Sequence, residues 1–148
     1  MFELHEIGRL PAAEDNCAIA IRTLAAGTGI VGGNGVHFTL SHTVLEGHRF
    51  AVRTISAGAP LLSWGMTFGR ALRDIAPGEY VCNAGVLEAL IGRQLDFDLP
   101  AAPNFADDFT ATHFDAEQFE PASSLPHKPL SDAFMGIRRS GKRGVGTR

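Results

Sequence analysis

The residues best suited to chemistry lie together in the short segment Gly47-His48-Arg49. A histidine beside a conformationally free glycine can present its ring to a cleft, and its pKa suits acid–base work near neutral pH. We therefore predict that His48 is catalytic and that Gly47 and Arg49 bind substrate beside it. The alternative, a histidine that only hydrogen-bonds to a neighbouring loop, stays open at this point.

The pair Asp15-Asn16 is the second candidate, because it stands directly before the first apolar segment. Its side chains are suited to binding a polyhydroxylated acid or a metal, and equally to capping a turn through backbone hydrogen bonds. The six histidines and two cysteines show no spacing typical of a metal site, so no metal ligand is assigned. We expect Cys17, Cys82 and Trp64 to be packing residues of the core.

Composition limits the classes of protein to which the chain can belong. It has 148 residues, enough for one domain, with 45% hydrophobic residues, 20% charged residues and a net charge of -3. This balance is typical neither of a nucleic-acid-binding protein nor of one that binds anionic membranes. The chain has no apolar run near the ~18 residues of a membrane span, and its start does not resemble a secretory signal. With two cysteines, a reducing cytoplasm is the expected compartment.

The candidate residues are positioned by a repeated turn. Glycines at positions 27, 47, 58 and 78 each follow an aliphatic residue by three positions, and an interval of 20 residues occurs twice. This pattern predicts strand ends that lead into tight turns, with the aliphatic side chain in the core and a positive φ at the glycine. The regular intervals predict two similar halves packed against each other in a mainly β domain.

Other segments suggest further elements. Residues 32–35 predict a glycine-rich hairpin before a strand at 36–40, and residues 86–91 give the one possible helical pattern. Residues 94–127 lack Lys and Arg but carry five of the ten phenylalanines, which predicts an extended acidic strap whose Phe side chains dock on a surface. The basic, glycine-containing segment 134–148 predicts either an arm that binds phosphate or nucleic acid or a hairpin that leads into a new domain.

Several of these segments resemble the altronate and galactarate dehydratases. The resemblance covers most of residues 15–81 in order and rests on Asp15-Asn16-Cys17-Ala18-Ile19-Ala20-Ile21-Arg22, Leu24-Ala25-Ala26-Gly27-Thr28, Leu45-Glu46-Gly47-His48-Arg49-Phe50-Ala51-Val52-Arg53, Trp64-Gly65-Met66-Thr67-Phe68-Gly69-Arg70-Ala71 and Ile75-Ala76-Pro77-Gly78-Glu79-Tyr80-Val81. It implies an SAF domain with the β-clip fold over residues 1–92, followed by the strap at 93–133. Residues 134–148 resemble the start of the large dehydratase domain, which would be truncated here.

The resemblance implies a role in eliminating water from a sugar acid, assisted by a divalent metal such as iron(II) bound mainly by the large domain. The chain departs from the family pattern at Ala12, Tyr80, Cys82 and Ala84, where relatives of the altronate type carry histidines. We therefore expect a domain or subunit that needs a large catalytic partner and has little activity without it. We also expect that this domain or subunit can form a homo-oligomer. The alternative from another class is a non-catalytic SAF module that binds a carbohydrate or a protein.

Overall fold

A computed structural model describes residues 1–33 and 35–108, together with two short strands near the C-terminus. The chain divides into two compact units, Met1–Ala111 and Thr112–Arg148. In the described part of the chain, no helix has both the length and the apolar character needed to cross a membrane. In the second unit, strands at Ile137–Arg138 and Val145–Gly146 pair antiparallel, which agrees with the predicted hairpin. The turn predicted between them and the rest of the tail lie outside the described residues.

The first unit consists mainly of short strands, as predicted. Among its described residues, the helices are α1 (Leu4–Ile7) and α2 (Ala84–Ile91). Its strands, in chain order, are β1 (Phe2–Glu3), β2 (Gly8–Arg9), β3 (Cys17–Ala20), β4 (Gly29–Val31), β5 (His37–Thr39), β6 (Arg49–Ala51), β7 (Pro60–Ser63), β8 (Met66–Ala71), β9 (Tyr80–Val81) and β10 (Phe105–Asp107).

These strands form three small sheets. The central sheet has the order β2-β3-β6-β9 with antiparallel neighbours, and it carries both candidate segments at the ends of its strands. A second sheet has the order β1-β4-β5, and the third has the order β10-β8-β7. The glycine-rich hairpin predicted at 32–35 is confirmed by the antiparallel pairing of β4 with β5, and the predicted helix is confirmed as α2.

The two predicted halves are visible in the backbone hydrogen bonds. The Gly47 N–H donates to the Ala20 carbonyl at 2.8 Å, and 31 positions later the Gly78 N–H donates to the Ala51 carbonyl at the same distance. The remaining two turn glycines correspond in the same way, since Gly27 donates to Leu40 and Gly58 donates to Ala71. Hairpin β4–β5 of the first half therefore corresponds to hairpin β7–β8 of the second.

The aliphatic residue of each turn lies in the core, as the repeat predicted. Leu24 and Val44 form one antiparallel bridge, Ile55 and Ile75 form another, and all four are at most 3% exposed. All four turn glycines have positive φ, between 75° and 87°. One of them, Gly78, also lies against the backbone, because a Cβ built there would be 2.0 Å from the Thr39 carbonyl oxygen.

Both cysteines are packing residues, as predicted. Cys17 and Cys82 are free thiols with no exposed surface, and burial raises the pKa of Cys17 to about 12. A thiol held in its neutral form is a small apolar side chain rather than a nucleophile.

The prediction that Trp64 belongs to the core is wrong. Trp64 and Gly65 form the two-residue tip of hairpin β7–β8, with φ values of 60° and 68°. Two successive positive φ values define the turn type that matches the twist of a hairpin. Trp64 is 58% exposed.

The N-terminal elements β1, α1 and β2 and the strand β10 were not predicted from the sequence. Helix α1 is a single turn whose capping box joins Glu3 and Glu6, with the Glu3 N–H donating to Glu6 Oε2 at 2.8 Å. Strand β10, within the segment predicted as a strap, pairs antiparallel with β8. Its Phe105 is buried at 6% exposure, so this part of the strap docks on the domain itself. Phe109, Phe114 and Phe119 lie outside the described residues.

Candidate functional site

The segment predicted to be catalytic opens into a cleft of about 340 Å³. This volume is at the lower end of the roughly 300–1,000 Å³ typical of small-molecule sites. Gly47, His48 and Arg49 line one part of it, and the other lining residues come from β8, β9, α2 and β10: Phe68, Val81, Asn83, Val86, Phe105 and Asp107. A larger depression of about 480 Å³ lies beside Arg53 and contains none of the predicted site residues.

His48 is held at this cleft by a tyrosine of the neighbouring strand. Its Nδ1 lies 2.5 Å from the hydroxyl oxygen of Tyr80, and the two rings stack with centroids 5.9 Å apart. Tyr80 is 2% exposed, and burial raises the pKa of its phenol to about 12. The phenol therefore stays protonated, and the contact is a neutral hydrogen bond that fixes the orientation of the imidazole.

The surroundings of His48 favour its neutral form. Burial, followed by the positive charges of Arg93 and Arg49, lowers the pKa of His48 below its ordinary value. A neutral imidazole can accept a proton at physiological pH, which is the requirement for a general base. When Nδ1–H donates to the Tyr80 oxygen, the Nε2 lone pair remains available for that purpose.

Arg49 is positioned by an aromatic ring and a hydroxyl. The centre of its guanidinium lies 5.0 Å from the centroid of Phe68, and its Nε donates to Ser63 Oγ at 3.3 Å. Among residues 1–33 and 35–108, Arg49 forms no salt bridge, and its terminal nitrogens have no hydrogen-bond partner. A guanidinium with two free terminal nitrogens can bind a carboxylate through two parallel hydrogen bonds.

Gly47 contributes space rather than a polar group. Its N–H is used by the Ala20 carbonyl, and its φ of 81° is one that a residue with a side chain rarely adopts. No atom lies within 4 Å of the position that a Cβ would occupy, so the cleft is open beside His48.

Asp15 lies in a different environment and is completely buried. Its carboxylate accepts hydrogen bonds from the backbone N–H groups of Ala12 at 3.0 Å, and of Trp64 and Gly65 at 2.9 Å each. Burial alone would raise the pKa of Asp15, but these three donors and the charge of Arg53 outweigh it and hold the pKa below its ordinary value. Asp15 thus ties the N-terminal segment to the tip of hairpin β7–β8.

The side chain of Asn16 hydrogen-bonds to the backbone of β7, as the backbone of a neighbouring strand would. Its Nδ2 donates to the Pro60 carbonyl at 2.9 Å, and its Oδ1 accepts from the Leu62 N–H at 2.7 Å. Both ends of the amide are therefore used in joining β3 to β7. The substrate-binding role of Asp15 and Asn16 stays a prediction, and the structure does not place either residue in the lining of the cleft.

The opposite wall of the cleft was not predicted from the sequence. Asn83 caps helix α2 by accepting the Val86 N–H at 2.8 Å, and its Nδ2 donates to both carboxylate oxygens of Asp107, at 2.8 and 3.0 Å. The Asn-x-x-Val start of a helix was the one available hint, and it predicts a cap rather than a binding residue.

The described residues do not provide a metal site by themselves. Within the described ranges, no group of three or more His, Cys, Asp or Glu side chains is arranged to hold a metal ion. His48 and Asp107 are the two side chains of these types in the cleft lining. A divalent ion in this cleft would need further ligands from outside the described residues.

Paired hairpins related by a repeat of turns, with a small cleft at the strand ends, define this unit as an SAF-type β domain. The family model for the altronate/galactarate dehydratase SAF domain matches residues 11–88, and the chain belongs to this family. Altronate dehydratase from Escherichia coli (strain K12) is 42% identical over 69 residues, which make up 47% of this chain. The chain covers 14% of the length of that enzyme.

Proposed function

We propose that this chain is the small domain or subunit of a sugar-acid hydro-lyase and that it assists a separate large catalytic domain in eliminating water. Membership of the dehydratase SAF family supports this function. The 14% coverage of the similar altronate dehydratase leaves room for a much larger partner, in the same polypeptide or in another. The observation that carries the proposal is the pairing of a neutral His48 with a cationic Arg49 at one small cleft.

His48 is the proposed general base. Elimination of water from a hydroxy acid begins with loss of the proton on the carbon next to the carboxylate. The hydroxyl on the following carbon then takes up a proton from an acid group, here assigned to the large domain, and leaves as water. His48 acts in the tautomer whose Nδ1–H donates to the Tyr80 oxygen, and its Nε2 takes the proton from the carbon next to the carboxylate. Tyr80 acts as a positioning residue, because it holds the ring in one orientation without touching the substrate.

Arg49 is the proposed carboxylate-binding residue. Its guanidinium would pair with the substrate carboxylate and stabilise the negative charge that develops there as the proton leaves. The positions of Phe68 and Ser63 restrict the side chain before substrate arrives, so less conformational entropy is lost on binding. Gly47 leaves room for the substrate beside the imidazole.

We further propose that the divalent metal, iron(II) in the simplest case, is held mainly by the large domain. When bound, it would act as a Lewis acid on the substrate. The described residues would supply His48 and Arg49 to the completed active site rather than the ligand set of the metal.

The test is an omission experiment. The large catalytic domain is assayed with iron(II) and a sugar acid such as altronate or galactarate, with and without this chain, and formation of the 2-keto-3-deoxy acid is followed. We expect water elimination to increase on adding the chain and to saturate at one equivalent. An unchanged rate, together with demonstrated binding between the two parts, would favour a non-catalytic binding module instead.

A further inference from the structure

Strand β10 lies beyond the family-matched residues 11–88, yet it supplies part of the cleft that contains His48. Its two lining residues are Phe105 and Asp107. One wall of the proposed site is therefore formed by residues outside the segment that the SAF family model matches.

This wall is fixed in place by a buried asparagine. Asn104 is 2% exposed, its Nδ2 donates to the Tyr80 carbonyl at 2.8 Å, and its Oδ1 accepts from the Cys82 N–H at 3.0 Å. Its own N–H donates to the Cys82 carbonyl at 3.0 Å, and its carbonyl accepts from Leu72 at 2.9 Å. Three of these bonds tie the start of β10 to Tyr80, the partner of His48, and to Cys82 directly after β9, while the fourth ties it to Leu72 directly after β8.

Strand β8 is adapted to the same contact. A Cβ at Gly69 would lie 2.4 Å from the ring of Phe105 and 2.7 Å from the Ala106 carbonyl oxygen, so only glycine fits there. Phe105 packs edge to face against Phe68, with centroids 5.4 Å apart, and Phe68 lies beneath the Arg49 guanidinium. Phe68 therefore contacts both Phe105 of this wall and Arg49, the proposed carboxylate-binding residue.

Asp107 offers hydrogen-bond acceptors at the rim of this wall. Each carboxylate oxygen accepts one bond from Asn83 Nδ2, which leaves lone pairs on both oxygens. In the described part of the chain, Asp107 forms no salt bridge, whereas its neighbour Asp108 pairs with Arg70 at 3.0 Å. A carboxylate that is oriented but not neutralised is suited to accept hydrogen bonds from alcohol hydroxyls.

From this arrangement we infer that Asp107, oriented by Asn83, recognises the hydroxyl groups of the ligand, so that β10 sets the specificity of the cleft for polyhydroxylated acids. The inference rests on the proposed function and deepens it. Arg49 attracts the carboxylate end of the ligand, and the negative charge of Asp107 repels that end, so the two residues orient the ligand along the cleft.

The test compares two monocarboxylates of the same chain length and charge. Altronate carries a hydroxyl on each of its other five carbons, and hexanoate carries none. Each is titrated into the full chain, and the imidazole resonances of His48 are followed by NMR. We expect the wild-type chain to prefer altronate and Asp107→Ala to reduce that preference about tenfold, as expected for loss of hydrogen bonds to a charged group.

Asp108→Ala is the matched control, since it removes the neighbouring carboxylate outside the cleft lining, and it should keep the preference. Retention of the full preference in Asp107→Ala would overturn the inference and leave the proposed role of His48 untouched. Equal binding of the two acids by the wild-type chain, or binding of neither, would also overturn it. The proposed function is judged separately by the omission experiment, which does not depend on Asp107.

Discussion

The close packing of one turn glycine predicts that the same substitution at two turn glycines of the repeat changes stability by very different amounts. Gly58 and Gly78 both adopt positive φ, 75° and 87°, so alanine at either position costs about 1 kcal/mol of backbone strain. A Cβ at Gly58 meets no atom within 4 Å, whereas at Gly78 it would lie 2.0 Å from the Thr39 oxygen. Relieving that contact requires backbone movement, which adds roughly 1–3 kcal/mol.

We therefore expect Gly58→Ala to lower the free energy of unfolding by about 1 kcal/mol and Gly78→Ala by about 3 kcal/mol. Urea unfolding followed by circular dichroism measures both values, and the m-values should match that of the wild type if the folded state is retained. Losses that agree within about 0.5 kcal/mol would refute the close approach of Gly78 to β5.

The other predictions concern the buried carboxylate, the hairpin tip and the histidine. Asp15→Ala should cost at least about 3 kcal/mol, because three backbone N–H groups lose their acceptor. The pKa of Asp15 is lower in the folded protein than its ordinary value. The stability that its carboxylate contributes should therefore be complete above the ordinary pKa and should be lost as the pH falls through the folded-state pKa. Urea unfolding of the wild type and of Asp15→Ala from pH 7 to 3 tests the loss of stability and its pH dependence. Trp64→Asn should raise the free energy of unfolding by about 0.5–1 kcal/mol in the same assay, because asparagine tolerates positive φ. Burial and the nearby cations lower the pKa of His48, so the acid limb of kcat/KM should lie below pH 6.5 and move upward in Arg93→Gln.

The sequence was sufficient to predict the turns and the halves they define. A glycine that recurs three positions after an aliphatic residue predicts a positive φ at the glycine and a buried side chain at the aliphatic residue. Both were observed at Gly27, Gly47, Gly58 and Gly78 and at the aliphatic residues that precede them. The segment containing His48 includes one of these turn glycines and lines a cleft, and its catalytic role stays a prediction.

What the sequence did not reveal depends on contacts between distant segments. The prediction for Trp64 was wrong because Trp64 lies in a hairpin turn whose backbone N–H donates to Asp15, a residue 49 positions earlier. The wall of the cleft formed by Phe105 and Asp107 was not predicted, because its position depends on the hydrogen bonds of Asn104 to the Tyr80–Cys82 segment and on the absence of a Cβ at Gly69. Such long-range pairings leave no local periodicity in the sequence from which they can be predicted.

The most direct test of the central claim is the effect of removing the His48 imidazole on water elimination by this chain and its large catalytic domain. We expect His48→Ala to lower kcat/KM by more than about tenfold, roughly 1.4 kcal/mol of transition-state stabilisation. His37→Ala on the exposed strand β5 is the matched control and should leave kcat/KM unchanged. A wild-type kcat/KM for a correctly folded His48→Ala protein would contradict the account and make His48 a structural residue.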